Sequence, residues 1–229
     1  MPHTMIDRTT GEEARHMTCL EVWGGNDAVD AAVTLPGLDA WVYSRPFEGA
    51  TSGGDVHYVS SCGTGRITRL LVADVSGHGE DVAETARELR TLMRRFVNHI
   101  DQTKFVASMN HHFTELSQDG RFATALVTTF FAPTNHLSLC NAGHPSPLHW
   151  KKSTGRWSYI ERQASPNLDP TSQFIDDGPA NIPLGILDLD DYGQFDFQVD
   201  VGDLVLCYTD SLVEARDVST GELLVRRDC

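Results

Sequence analysis

One segment constrains this chain more than any other. Ile67-Thr68-Arg69-Leu70-Leu71-Val72-Ala73 runs without interruption into Asp74-Val75-Ser76-Gly77-His78-Gly79. The first half is apolar and rich in β-branched residues, so it reads as a strand with at least one buried face. Glycines follow at once, where the backbone must turn tightly or approach a ligand. From Glu80 to Ile100, the residues Val82, Ala86, Leu89, Met93, Phe96, Val97 and Ile100 recur near helical spacing, with Glu84, Arg87, Arg90 and Arg94 on the other side. A strand that hands an aspartate to a turn and then to a helix puts that carboxylate on rigid structure. Asp74 is then either a metal or catalytic carboxylate or a helix cap.

The surrounding pattern is β-rich. Ala40–Ser44 and Val56–Ser60 read as strands before this segment, and Lys104–Leu116 as a second helix after it. Phe122–Phe131 and His136–Asn141 flank Pro133-Thr134-Asn135 as a hairpin, and His149-Trp150 and Trp157–Ile160 flank Ser153-Thr154-Gly155 as another. Phe195–Val199 and Leu204–Tyr208 are further strands around Val201-Gly202-Asp203, and residues 163–181 read as an irregular loop. Strands, then two helices, then strands argue for an α+β layered fold rather than repeated βαβ units. Residues 1–37 read as a partly ordered lead-in extension, and 38–229 as the folded domain.

Charge narrows the function classes. Asp and Glu total 32 against 18 Lys and Arg, a net charge of −14. Such a surface repels nucleic acid and anionic lipid, so neither is expected as a partner. No run of roughly eighteen apolar residues offers a membrane span, and Met1–Arg8 has no apolar core of a signal peptide. The five cysteines include no CxxC pair, which suits reduced thiols in a cytoplasmic protein. Between Gln163 and Ala215 there is no Lys or Arg, but ten Asp and Glu214. Most of these form a solvated acidic face, and some are expected to serve a divalent cation.

A second strand ends in an aspartate: Gly202-Asp203-Leu204-Val205-Leu206-Cys207-Tyr208-Thr209-Asp210-Ser211. Two strand-end aspartates far apart in sequence suit one shared site, because Mg²⁺ and Mn²⁺ favour carboxylate, carbonyl and water oxygens. Gly53-Gly54-Asp55 is a weaker signal, equally a turn. In Asn141-Ala142-Gly143-His144-Pro145, His144 either touches a substrate or holds the loop. Ser76 and His78 read as residues of the helix start.

Taken in order, these segments resemble SpoIIE/RsbU-type protein serine phosphatases of the metal-dependent PPM (protein phosphatase 2C-like) superfamily. The matching pieces are Gly53-Gly54-Asp55, Ala73–Gly79, Phe122-Ala123-Thr124, Asn141–Pro145, Pro183-Leu184-Gly185, and Gly202-Asp203 through Thr209–Ala215. The resemblance implies a four-layer αββα sandwich of two antiparallel sheets flanked by helices. It implies two Mn²⁺ or Mg²⁺ ions, with Asp74 bridging them, Val75 offering its carbonyl, Asp210 on one ion and Asp55 on the other. Asp74 and Asp210 would be the catalytic pair, and a metal-activated water would hydrolyse phosphoserine or phosphothreonine on a signalling protein such as a STAS-type anti-sigma-factor antagonist. Regulatory input would come from a partner or from a homodimer. The chain departs from the family pattern at Tyr58, where an Asp is usual, and at Ser211, where a Gly is usual. It also ends without the family's later Asp-Asp strand, so the domain reads as C-terminally shortened. The alternative expectation is a weak or inactive pseudophosphatase that binds a phosphoprotein.

Overall fold

The computed structural model describes residues 15–16, 22–46, 50–77, 80–116, 120–161, 181–188, 190–215 and 220. Its centre is the strand that the sequence marks out. β5 (Ser52–Ser61), β6 (Ile67–Val75) and β7 (Ala123–Phe131) pair antiparallel in that order. β2 (Val22–Asp27) adds outside β5, and β8 (His136–Ala142) then β11 (Phe195–Gln198) add outside β7, giving six strands in the order β11-β8-β7-β6-β5-β2. Two three-stranded sheets accompany it. One joins β1 (Arg15–His16), β3 (Val29–Leu35) and β4 (Leu38–Ser44); the other joins β10 (Arg156–Tyr159), β9 (Leu148–Lys151) and β12 (Leu204–Leu206).

The two faces of the main sheet are filled differently, as the period of two along a strand requires. Val56, Tyr58, Leu71, Ala73, Val75, Ala123, Ala125 and Val127 bury one face against α1 (Glu80–Phe96) and α2 (Gln102–Leu116). The helices answer with Val82, Ala86, Leu89 and Met93 from α1 and Phe105, Met109 and Phe113 from α2. On the other face, Leu126, Phe130, Leu137 and Leu139 meet Leu38, Ile160, Val205 and Cys207 of the small sheets. Helices, main sheet and small sheets thus stack as three of the four layers of an αββα sandwich, the outer helical layer beyond the small sheets not being among the described residues, and α3 (Asp210–Val213) follows the last strand. The outer face of the β10-β9-β12 sheet is apolar: Trp157, Trp150 and Leu204 align in one row and Tyr159, Leu148 and Leu206 in the next.

Several local expectations are corrected. Residues 22–35 were expected in a lead-in, yet β2 is an edge of the main sheet, and Val33 and Leu35 of β3 are buried against Val59. α1 stops at Phe96, and Ile100, which fits its helical spacing, is 86% exposed. The reason lies in Arg69 of β6, which is buried. Its guanidinium donates to the Val97, His99 and Ile100 carbonyls and stacks 4.5 Å from the Phe105 ring centroid. Those carbonyls are captured before the helix can continue. α2 then begins at Gln102 rather than Lys104, because Asp101 Oδ1 accepts from the Thr103 and Lys104 amides as an N-cap. No helix among the described residues is long and apolar enough to cross a membrane. Cys62, Cys140 and Cys207 are free thiols, and Cys19 and Cys229 lie outside the described residues.

The strands β11 and β12 are close in sequence but join different sheets. The turn that redirects the chain is held by Asp203, whose side chain is 2% exposed. Its Oδ1 accepts from the Lys152 amide at 2.9 Å, and its Oδ2 from the Asp200 amide at 3.1 Å and His149 Nε2 at 2.8 Å. Burial opposes ionisation, but these donors outweigh it and hold the carboxyl down at about 2. A folded-state value below the ordinary 3.8 means that Asp203 stabilises the fold fully above about pH 4. That contribution is lost as the pH falls through about 2. Asp203→Asn should therefore lower the urea midpoint at pH 7 and flatten the acid dependence of stability between about pH 4 and pH 2. Unfolding curves across that range check both effects.

Candidate metal centre

The register of the main sheet brings the first two candidate carboxylates together. Asp55 of β5 lies directly opposite Asp74 of β6, and Asp74 lies opposite Thr124 of β7. Like charges facing each other across a ladder destabilise it. The neighbouring pairs Val56–Ala73 and Ala73–Ala125 are apolar and hold the register. The local rule is broken only at the ends of the strands, where sites with chemistry to perform are expected.

Asp210 arrives from the other sheet. β12 pairs with β9 as far as Leu206, and the chain then leaves the ladder. Thr209 takes an extended N-cap conformation, but its hydroxyl does not cap α3. It donates instead to Asp55 Oδ2 at 3.3 Å. Asp210 follows as the first residue of α3 and comes within hydrogen-bonding reach of Asp74. Burial, then Asp55 and then Asp210, push the Asp74 carboxyl up to about 7. Burial also raises Asp55, with Asp210 adding to it against the Thr209 hydroxyl. Glu214 acts on Asp74 from the far end of α3. Among the described residues, no three His, Cys, Asp or Glu side chains form a closed cage. The acids interact as neighbours.

The donor set suits a hard cation. Val75 lends a backbone oxygen that can be placed through Gly54: a Cβ on Gly54 would sit 2.9 Å from the Val75 carbonyl oxygen, 3.0 Å from Val82 Cγ1 and 3.4 Å from Asp74 Oδ1. The glycine thus lets the β5 backbone pass close to the Val75 carbonyl, Val82 and Asp74, where a side chain would clash. Carboxylates and a backbone carbonyl are among the oxygen ligands that Mg²⁺ and Mn²⁺ take.

Some supporting residues carry no motif signal. Asn26 of β2 is buried and donates from Nδ2 to the Gly53 carbonyl at 2.9 Å and the Ala83 carbonyl at 3.0 Å. It ties the strand before Asp55 to the first turn of α1. Nothing in a lone Asn within an expected lead-in announces this. Ser76 was expected as a helix cap, but it is bonded to the residue before β7: its amide donates to the Phe122 carbonyl at 2.8 Å and its hydroxyl accepts from the Phe122 amide at 3.0 Å. Tyr58 is buried in the core beside α1, away from the solvent a ligand would need. Ser211 is exposed on α3, and His78 lies outside the described residues.

Across most of its length the chain matches one family model. Residues 64–228 match Stage II sporulation protein E (SpoIIE), and the chain belongs to that family. Solved structures share the fold at low identity. The RsbU and RsbW domains of Rv1364c from Mycobacterium tuberculosis superimpose with a TM-score of 0.60 at 21% identity, covering 89% of this chain and 48% of that one. RsbX in complex with magnesium gives 0.60 at 16% identity, covering 80% of this chain and 79% of that one. The PP2C phosphatase domain with a regulatory fragment of the cell fate determinant SpoIIE from Bacillus subtilis gives 0.55 at 15%, covering 86% and 47%. This chain therefore spans about half the length of two of these three structures. The fold is that of PP2C-type phosphatase domains.

Gly54→Ala is expected to force the Val75 carbonyl or Val82 aside. The strain should cost about 1–3 kcal/mol of stability, measurable as a lower urea midpoint. Manganese affinity, followed by calorimetric titration, should fall with it.

Proposed function

We propose that this chain is a metal-dependent protein serine/threonine phosphatase of the cytoplasm. The observation that carries the reading is the meeting of Asp55, Asp74 and the Thr209-Asp210 segment from three separate stretches of chain. Membership of the SpoIIE family and the magnesium in the RsbX structure support it. The catalytic unit includes β2 and β3, since both strands are integral to its sheets and core.

Asp55, Asp74, Asp210 and the Val75 carbonyl are the groups that would hold two divalent cations, Mn²⁺ or Mg²⁺. When bound, such a pair supplies Lewis acidity at the phosphoryl oxygens and an acidified water for in-line attack on phosphorus. The protein's own part is placement. The β5–β6 register fixes Asp55 against Asp74, and Thr209 fixes the start of α3 against Asp55. Gly54 keeps side-chain bulk away from the Val75 carbonyl. Burial and the neighbouring acids disfavour the bare carboxylates of Asp55 and Asp74, and that cost is offset when positive charge is present. No nucleophilic side chain is needed, and Cys62, Cys140 and Cys207 take no part. The substrate class is a phosphoprotein of bacterial signalling. The joining of RsbU and RsbW domains in the M. tuberculosis structure supports an anti-sigma-factor antagonist, with control through a partner protein or a homodimer.

Hydrolysis of p-nitrophenyl phosphate and of a phosphoserine peptide should require Mn²⁺ or Mg²⁺ and stop with EDTA. Asp74→Asn should reduce turnover by about a hundredfold or more, the scale of losing one electrostatic stabiliser. Turnover that persists in EDTA, or that Asp74→Asn leaves intact, overturns the proposal. Saturating Mn²⁺ should also raise Tm, because an ion bound only by the folded state stabilises it by about 2.7 kcal/mol at a hundred times its Kd.

A further inference from the structure

The outer face of the β10-β9-β12 sheet serves neither the core nor the metal centre. Side chains alternate across a strand. The inner face therefore carries His149, buried against the Phe197 ring, and Val205, packed into the cluster around Leu126. The outer face carries six apolar side chains. Trp157, Trp150 and Leu204 lie opposite one another across the three strands, and Tyr159, Leu148 and Leu206 do so two residues away. Trp157 is 51% exposed, Leu204 54%, Tyr159 43% and Leu206 41%. Together the six offer water roughly 400–500 Å² of contiguous apolar surface, a size that marks an interaction site.

The two ends of this sheet differ in charge. Lys151, Lys152 and Arg156 lie at the turn between β9 and β10. Asp200 meets Lys151 there at 3.2 Å and Asp203 is buried, while Lys152 and Arg156 are exposed. At the opposite end, beyond Leu206, the chain runs to Asp210 of α3 and Glu214 at its C-cap, both exposed. Two copies can bring their outer faces together about a two-fold axis lying between them. An axis along the strands sets like ends against each other, cations on cations and acids on acids. An axis across the strands reverses one sheet over the other, so the Lys152 and Arg156 end of one copy meets the Asp210 and Glu214 end of the next. The same axis lays the row of Trp157, Trp150 and Leu204 in each copy over the row of Tyr159, Leu148 and Leu206 in the other. Twisted sheets stack face to face in this way at a small angle.

We infer that the outer face of the β10-β9-β12 sheet is a self-association surface, on which a second copy of this chain packs with its strands reversed. Two copies together cover about 1,000 Å², at the low end for a specific interface. The dimer is therefore a reversible one that forms at micromolar concentrations. Apolar burial supplies the attraction, and the opposite charges at the two ends choose the orientation. The inference gives a surface to the homodimer included in the proposed function, and it does not depend on what the aspartates hold.

The test is sedimentation equilibrium of the full chain over a micromolar concentration series, at low and high NaCl, with Tm measured beside it. Unmodified chain, Trp157→Lys, Leu204→Lys, Leu204→Ala and Arg156→Glu are compared. The unmodified chain should pass from monomer to dimer and no further. Trp157→Lys and Leu204→Lys each put a charge into the face and should weaken dimerisation by about tenfold or more. Both positions are half exposed in one copy, so the Tm of the monomer should change little. Arg156→Glu should weaken dimerisation by about fivefold, and added NaCl should weaken the unmodified dimer but not this variant. A chain that stays monomeric at every concentration overturns the inference, and a Tm lowered by both lysine variants would then show that the chain's own residues cover the face. A dimer that neither lysine variant weakens lies on another surface and also overturns it. Assembly that grows beyond the dimer overturns the two-fold arrangement, and a dimer that Arg156→Glu leaves intact overturns the reversed orientation. If the lysine variants do not fold, Leu204→Ala decides: weakened association upholds the inference, and unchanged association overturns it. Mn²⁺-dependent hydrolysis is read in separate samples. A chain that dimerises as stated but does not hydrolyse phosphoserine overturns the functional proposal alone, and one that hydrolyses but stays monomeric overturns this inference alone.

Discussion

Two carboxylates facing each other in an antiparallel ladder repel, and a sheet that contains such a pair must be held in register by everything around it. In this chain the Asp55–Asp74 pair sits at the end of a β5–β6–β7 ladder whose interior is apolar on both faces. Slipping by one residue would turn the whole apolar set of β6 to the wrong side. The repulsion is therefore confined to the strand ends, where burial raises both carboxyls, with Asp55 and Asp210 adding to the rise at Asp74 and Asp210 to that at Asp55. Asn26, Gly54 and Thr209 are arranged around that row, on the backbone segments that lead to its carboxylates.

The helical layer and the second sheet make different contributions. α1 and α2 supply the buried mass that keeps β5, β6 and β7 flat against one another. The small sheets bring Asp210 from a distant part of the sequence. That transport depends on the crossing at Asp203, which lets neighbouring strands join different sheets. The same aspartate sits in the motif that begins Gly202-Asp203, so one motif contains both a structural acid and, seven residues on, a site acid.

The strand–Asp–glycine–helix unit was legible because its signal is local: β-branched apolar residues, then a carboxylate, then turn glycines. That Asp74 and Asp210 share a site was legible from two apolar strands that each end in an aspartate, whereas Asp55's place beside them was legible only as a resemblance, because register and strand order are long-range facts that spacing does not encode. The end of α1 was missed for a similar reason. Its helical period extends to Ile100, and the group that stops it, Arg69, is on a strand. β2 and β3 read as a lead-in because Gly24-Gly25 and Asp27-Ala28 dilute the alternation, while the burial that orders Val33 and Leu35 comes from Val59 on another strand. Asn26 had no signal at all, since its importance lies in two carbonyls far away in sequence.

Arg69 also sets a limit on how this fold can change. A buried cation is usually a burden unless a carboxylate answers it; among the described residues three carbonyls and an aromatic face take that place at Arg69. That solution depends on a flat, forked group with several donors spread over its edge. An ammonium group has the same charge but is a compact point with a strong hold on water, and it cannot span three acceptors while lying on a ring. Exchange of one basic residue for the other, harmless over most of an exterior, would here unseat the junction between the two helices. At this position shape, rather than charge, is the property that must be inherited.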